Sequence, residues 1–346
     1  MKHIGLDVHK KTTNVCWIDE QTGVVSGQSK VLTEQVVATV GALPGEKWVA
    51  LETGSQSWFL ARQLQSLPDT EVFVVDAFRG HRALEGMKRG RKNDKLDARG
   101  LARLSLEGRT PAMAVWLVDQ AGHDLRTLTR TYITLVRQST VLRNRIRSLL
   151  AAQGLSCEAS DLTAPRAQGQ LQQLRAQLPL QVQFCLESLN DALLCISKQV
   201  ERCRARVEQA CEQHAQCQQL QSIGGCGPIL STLVMAEIAD YQRFTHSGAL
   251  RCYAGLTASI DDTGERSRYG RLVKGNSYLK YALVMLAQHM ASHKDFEGTA
   301  MRRRYYRCLF KHDRTVANID LARQLCDLIY AMLRDGTDYK PKKLEP

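Results

Sequence analysis

No two of the eleven cysteines (16, 157, 185, 195, 203, 211, 217, 226, 252, 308 and 326) are spaced as CxxC. Their number is odd and their positions are scattered, so neither a disulfide framework nor a zinc ribbon is indicated, and they read as reduced thiols. Cys211, His214 and Cys217 come nearest to a metal cluster, but they fall in a long helical pattern where packing is the expected role. The N-terminus MKHIGLDVHKK has no signal-peptide apolar region, and no run approaches the roughly 18 apolar residues that span a membrane. A cytoplasmic protein with no membrane partner is expected.

The chain does have charge of one sign in excess. Forty-seven Lys and Arg against 35 Asp and Glu give a net charge of +12, which favours a polyanionic partner, nucleic acid being the commonest. With 346 residues, 44% of them apolar, it can bury a real core in two or three domains.

The densest local signal is KRGRKNDKLDAR, residues 88–99. Asp94 and Asp97 stand one turn apart on a common helix face, directly after a run of cations. Carboxylates so paired repel one another. The pattern makes best sense if a divalent cation neutralises them while Lys88, Arg89, Arg91 and Lys92 hold a polyanion alongside. In isolation the same pair would read as a solvated helix start.

Upstream, residues 3–8 form a short apolar strand carrying Asp7, with residues 13–18 pairing back as a hairpin. A carboxylate on a central strand is costly unless hydrogen-bonded or metal-bound, which makes Asp7 a candidate ligand. Residues 47–52 repeat the theme, an apolar strand running into Glu52, followed by a helix from about Gln56 to Ser66. A third apolar strand, residues 71–76, ends in Asp76, which no second feature supports as a ligand. Strands alternating with helices predict an α/β sheet covered on both faces.

From Asp119 to about Leu150 the pattern is helical, with Leu125, Leu128, Leu135, Leu142, Ile146 and Leu149 forming part of a heptad seam. Around the seam Arg126, Arg130, Arg137, Arg143, Arg145 and Arg147 are placed to bind phosphates. Residues 155–180, with Pro165 and Pro179, read as a linker with weak helix. Leu186, Leu189, Leu193, Ile196, Val200, Cys203, Val207 and Ala210 follow a coiled-coil spacing. That seam packs either on the preceding helix or on a second subunit, and a dimerisation arm is the preferred reading.

The glycine-rich SIGGCGP, residues 222–228, precedes an apolar helix and suits a helix-hairpin-helix turn. There Gly225 and Gly227 would let backbone N–H groups approach a phosphate, a plain helix-helix turn being the alternative. Residues 258–271 are polar, basic and loop-like, and lead through Lys274 into a helix from Ser277. A basic stretch, Arg302 to Arg304, and an amphipathic helix from Val316 to Leu333 close the chain.

Asp7, Glu52, Asp94 and Asp97, in the contexts IGLDVHK, LETG and KNDKLDARGLARL, resemble the four-carboxylate set of the RuvC-like branch of the RNase H fold. More specifically they resemble transposases of the insertion-sequence-110 family, the DEDD or Piv/MooV-like recombinases. Residues 222–227 are similar to the SIPGIG-like stretch that opens that family's C-terminal domain, and YAGLT, residues 253–257, follows in the expected order. With the resemblance the chain divides into a RuvC-like α/β domain at 1–118, a helical coiled-coil and linker region at 119–215, a mainly α transposase domain with a helix-hairpin-helix-like element at 216–340 and a tail at 341–346. The resemblance implies Mg²⁺ held by Asp7, Glu52, Asp94 and Asp97, the two-metal logic of phosphodiester cleavage. The family carries a serine nucleophile before the glycine of its catalytic loop, where this chain has Thr263 before Gly264. Thr263 is therefore expected to form the covalent bond to DNA, with Ser267 or Ser259 as alternatives. Nucleic-acid contacts are expected from Arg143, Arg147, Arg266, Arg268, Arg271, Lys274, Arg302 and Arg303. The implied partners are donor and target DNA, a guide noncoding RNA and further copies of the chain in a dimer or tetramer with a composite site. Rival readings are a RuvC-like junction nuclease using water and a non-enzymatic basic nucleic-acid-binding dimer.

Overall fold

The computed structural model describes residues 1–88, 94–263 and 266–343, and for residues 85–88, 260–263 and 266–269 it describes the backbone alone. The chain divides into two compact units, Met1–Val118 and Asp119–Pro346.

The first unit contains β1 (Lys2–Val8), β2 (Thr12–Asp19), β3 (Val25–Leu32), α1 (Val36–Gly41), β4 (Lys47–Glu52), α2 (Ser57–Gln65) and β5 (Thr70–Val75). It continues with α3 (Ala77–Lys88), α4 (Asp94–Leu106) and α5 (Thr110–Met113). The sheet order is β3-β2-β1-β4-β5, with β1 to β3 antiparallel and β4 and β5 parallel to β1. This order is compatible with a RuvC-like DEDD domain. Tight connections suit the antiparallel strands, whereas β4 and β5 need the crossover that α2 supplies. The apolar runs of β1, β4 and β5 are buried because both faces of the sheet are covered. One face packs Leu6, Val15, Val49 and Leu51 against Val40 of α1 and Leu60 and Leu64 of α2. The other packs Cys16 and Ile18 against Ala98 and Ala102 of α4. Strand β3, which sequence reasoning did not single out, is an edge strand of alternating half-buried and exposed residues with little apolar run to mark it.

Gly5 sets the distance between β1 and α4. A Cβ there would overlap the carbonyl oxygen of Ala98 and lie 2.5 Å from the backbone nitrogen of Ala102. Only a residue without a side chain admits the helix backbone so close.

The second unit contains α6 (Gln120–Ala151), α7 (Pro165–Arg175), α8 (Leu180–Glu212), α9 (Ala215–Leu220), α10 (Pro228–Ile238) and α11 (Ser247–Tyr253). A two-stranded hairpin of β6 (Ala258–Thr263) and β7 (Arg266–Leu272) follows, then α12 (Ser277–Ala291), α13 (Ala300–Lys311) and α14 (Arg314–Asp335). The long helices α6 and α8 pack along each other within the one chain. Ile146 and Leu150 meet Leu186 and Leu193, with Leu171 of α7 in the same cluster. Ile133 and Cys211 instead join the main helical core with Leu233, Leu283 and Leu325. Among the described residues no helix is long and apolar enough to cross a membrane.

Two segments differ from the sequence expectation. Residues 155–180 are not mostly linker: Pro165 is the first residue of α7 and Pro179 immediately precedes α8. Both prolines start helices, where the missing N–H costs nothing. The basic stretch from Ala258 is not a loop but the β6–β7 hairpin, in which Asp262 pairs with Ser267 and Thr263 with Arg266. Cys211 and Cys217 are buried in the helical core, and burial pushes the Cys217 thiol up to about 12.

Candidate functional site

In the parallel β1–β4 register Leu6 lies opposite Leu51, both in the core facing α1 and α2. The next residue on each strand alternates to the other face, so Asp7 and Glu52 stand at adjacent strand ends on the side of α4. Gly5, two residues before Asp7, shares that side, and the close approach it permits brings the first turns of α4 over the end of β1. Asp94 and Asp97 are in those turns.

Asp7, His9 and Asp94 each offer a ligand atom within 4.8 Å of the others. His9 Nε2 lies 3.1 Å from Asp7 Oδ2 and 3.3 Å from Asp94 Oδ2. Burial raises the Asp7 carboxyl above its ordinary value; His9 opposes the rise, and the charges of Asp94 and Asp97 add to it. A carboxylate pressed this way by two others gains from any cation that enters between them. The two carboxylate oxygens are hard donors suited to Mg²⁺, and the imidazole nitrogen also admits a softer ion such as Mn²⁺. The donor set thus fits a divalent ion. Glu52 occupies the neighbouring strand end, its Oε1 against Gly80 of α3. Asp76 instead accepts a 3.0 Å hydrogen bond from the N–H of Arg79 at the start of α3. His9, one residue beyond the end of β1, was not anticipated as part of the cluster, although its D-x-H spacing from Asp7 was legible.

In the second unit the hairpin stem is tied at its base. Val273 N–H donates to Thr257 O at 2.9 Å, and Asn276 N–H to Tyr253 O at 2.7 Å. Gly255, at φ +67°, and Gly275 pack backbone to backbone across this base. The Asn276 side chain caps α12 and donates at 2.7 Å to Glu237, a fully buried carboxylate on α10. Arg130 grips Glu237 with two 2.7 Å hydrogen bonds, and Arg126 donates to the carbonyls of Ala236 and Glu237. Hydrogen bonding to Glu237 holds the Arg130 guanidinium above its ordinary value. This network was invisible in the sequence, where both arginines looked like part of a phosphate-binding face. Thr263 ends β6, but its side chain and those of Arg266, Ser267 and Arg268 lie outside the described residues, as does Gly264.

The remaining basic positions are distributed. Arg143 pairs with Asp161 at 3.6 Å, and Arg147 donates to Ala159 O and Ser160 O. The Arg137 guanidinium lies over the rings of Tyr278 and Tyr281. Arg145, Arg271, Lys274 and Arg303 are exposed. Arg302 lies 5.3 Å from the ring centroid of Tyr306, while Arg304 is held by Asp320. Arg89, Arg91 and Lys92 lie outside the described residues, as does the side chain of Lys88. Gly227 precedes α10, and Gly225, at φ +84°, abuts the backbone of α12 at His289. Beside this turn is an open groove of about 520 Å³ lined by Arg204, His289 and His293 among others.

A family model described as a transposase of the DEDD IS110 type matches residues 4–153, and one described as the transposase IS116/IS110/IS902 family matches residues 217–306. The chain is 25% identical over 300 residues to the transposase for insertion sequence element IS1111A of Coxiella burnetii, covering 85% of this chain and 79% of that one. It is 21% identical to the transposase for insertion sequence element IS1328 of Yersinia enterocolitica, over 84% of each chain. A shorter match, 32% identical over 132 residues, joins it to the uncharacterized 44.8 kDa protein of insertion element IS116 of Streptomyces clavuligerus, over 35% of this chain and 30% of that one.

Proposed function

This chain belongs to the IS110-type family of DEDD transposases, and from that premise we propose that it cleaves and rejoins DNA through a covalent protein–DNA intermediate in the bacterial cytoplasm. The observation that carries the reading is the convergence of Asp7, His9 and Asp94, with Asp97 close enough to raise the Asp7 carboxyl further. Asp7, Glu52, Asp94 and Asp97 hold divalent ions, Mg²⁺ by preference. When bound, these ions supply Lewis-acid stabilisation of the scissile phosphate and the leaving oxygen. Asp7 and Asp94 would hold the ion beside the phosphate, with the His9 imidazole lying against both carboxylates at 3.1 and 3.3 Å. The Thr263 hydroxyl attacks phosphorus: an O–P bond to the protein forms as the strand's P–O bond breaks, and the hydroxyl proton passes to a base or solvent. Attack by a second strand end reverses the exchange, so the phosphoester energy is conserved. If Thr263 is not the nucleophile, Ser267 across the hairpin is the alternative.

Around this chemistry, Lys88, Arg89, Arg91, Lys92, Arg143, Arg147, Arg266, Arg268, Arg271, Lys274, Arg302 and Arg303 hold donor and target DNA and an element-encoded guide RNA. The turn at Gly225 and Gly227 acts as a helix-hairpin-helix element on phosphate. The paired helices α6 and α8 form a coiled-coil arm that supports a homodimer or tetramer. The test is incubation of the protein, with RNA copurified from cells carrying the full element, with junction DNA and Mg²⁺, followed by mapping of any denaturant-resistant adduct. An adduct at Thr263, retained in Thr263→Ser and lost in Thr263→Ala, supports the proposal. Cleavage without an adduct makes the protein a hydrolytic junction nuclease, and nucleic-acid binding with no cleavage makes it a binding protein.

A further inference from the structure

Helix α13 presents a face that neither the acidic site nor the hairpin uses. At 3.6 residues per turn, Arg302, Tyr306 and Phe310 form one column along the helix and Arg303, Arg307 and Lys311 the next. No acidic residue occurs between Thr299 and His312. Phe310 is 93% exposed and Tyr306 48% exposed, and Arg303, Arg307 and Lys311 are exposed beside them.

The opposite side of the helix is fixed. Tyr305 is buried, edge-on to Phe296, and its hydroxyl lies 3.2 Å from Asn318 Oδ1. Arg304 makes two hydrogen bonds of 2.6 and 2.7 Å to Asp320 of α14. The Tyr306 ring stands edge-on to Tyr305 and under the Arg302 guanidinium. Two aromatic rings one turn apart are therefore held on a rigid helix, flanked by four cations.

Cations alone would suffice for the phosphates of a duplex, whose bases are stacked on one another and offer a side chain no face. Rings exposed between cations instead match a strand with unpaired bases, which stack on the rings while the cations follow the backbone. A second copy of the same face would bring four like charges against four and is disfavoured. We propose that Tyr306 and Phe310 form a stacking platform for unpaired nucleotides of single-stranded DNA, with Arg303, Arg307 and Lys311 on its phosphates. This rests on the transposase reading, because a transposase separates and exposes DNA strands.

The test is fluorescence anisotropy of the full chain with labelled oligodeoxythymidine, oligouridine and duplex DNA at fixed salt. Phe310→Ala and Tyr306→Ala should each weaken oligodeoxythymidine binding by about fivefold or more, the worth of one stacked base. Duplex affinity should change by less than about twofold, since no duplex base reaches the rings. Phe310→Trp should restore binding, and a 5-iodouracil-substituted strand should crosslink to the peptide carrying these rings. Unchanged oligodeoxythymidine binding overturns the proposal. So does a Phe310 dependence seen only with oligouridine, which makes the ligand RNA, or a change in sedimentation of Phe310→Ala with binding intact, which makes the face a protein contact. Because Phe310 is almost fully exposed, loss of fold does not confound these outcomes. Failure here with Mg²⁺-dependent strand cleavage intact leaves the transposase reading standing, whereas absence of cleavage in the unaltered protein removes that reading instead.

Discussion

Replacing Gly5 by alanine tests whether the acidic site depends on how closely α4 lies on β1. The added Cβ would overlap Ala98 O and sit 2.5 Å from Ala102 N, both backbone atoms of the helix. Backbone cannot rotate aside as a side chain can, so α4 must retreat by about 1 Å to restore ordinary contact. Overpacking of this kind costs about 1–3 kcal/mol, read as a lower midpoint in urea unfolding. Asp94 and Asp97 travel with the helix, and a displacement of about 1 Å from Asp7 costs on the order of 100-fold in strand cleavage. Shrinking the neighbour in Gly5→Ala/Ala98→Gly should rescue nothing, because the obstruction is the Ala98 carbonyl and not its methyl. As a control, Gly169→Ala in α7, where nothing lies within 4 Å, should stabilise the protein by about 0.5–1 kcal/mol without touching activity. A Gly5→Ala protein with unaltered unfolding and cleavage would refute the account of how the site is assembled.

Burial and like charge raise the Asp7 carboxyl, so its ionisation costs stability as pH rises from the ordinary 3.8 through the higher folded value. Metal-free Asp7→Asn should then melt above the unaltered protein at neutral pH, converge with it below about pH 3.8, and show none of the rise in Tm that the proposed site predicts on adding Mg²⁺ to the unaltered protein. His9→Ala removes the group lying between Asp7 and Asp94, so thermal melts should show a less stable metal-free protein and a larger stabilisation by Mg²⁺. Glu237→Gln leaves Arg130 without its carboxylate in the helical core. It should cost about 3 kcal/mol in denaturant unfolding, the low end for a broken buried pair because Arg130 is 40% exposed at its side chain.

Much of the first unit was legible because its signals are local. Apolar runs ending in Asp7 and Glu52 mark strands that stop at a carboxylate, and the spacing of Asp94 and Asp97 puts both on one helix face whatever the helix packs against. The proline positions misled because a proline signals a helix start as readily as a break, and only the following apolar spacing distinguishes them. The hairpin from Ala258 was hidden because its strands are polar and owe their pairing to cross-strand hydrogen bonds, not to an apolar period.

The sequence by itself determined the order of the carboxylates, the long helices and the basic character. Each of these follows from composition or from periods of two and 3.6 residues along one segment. Only the tertiary structure decided that the α8 seam lies on α6 of the same chain and that Arg126 and Arg130 turn inward to Glu237. It alone placed His9 between Asp7 and Asp94, a contact across 85 residues that depends on a glycine giving way to a helix backbone. These outcomes are set by which surfaces meet and by the cost of burying a charge without a partner, and neither quantity exists until distant segments are in contact.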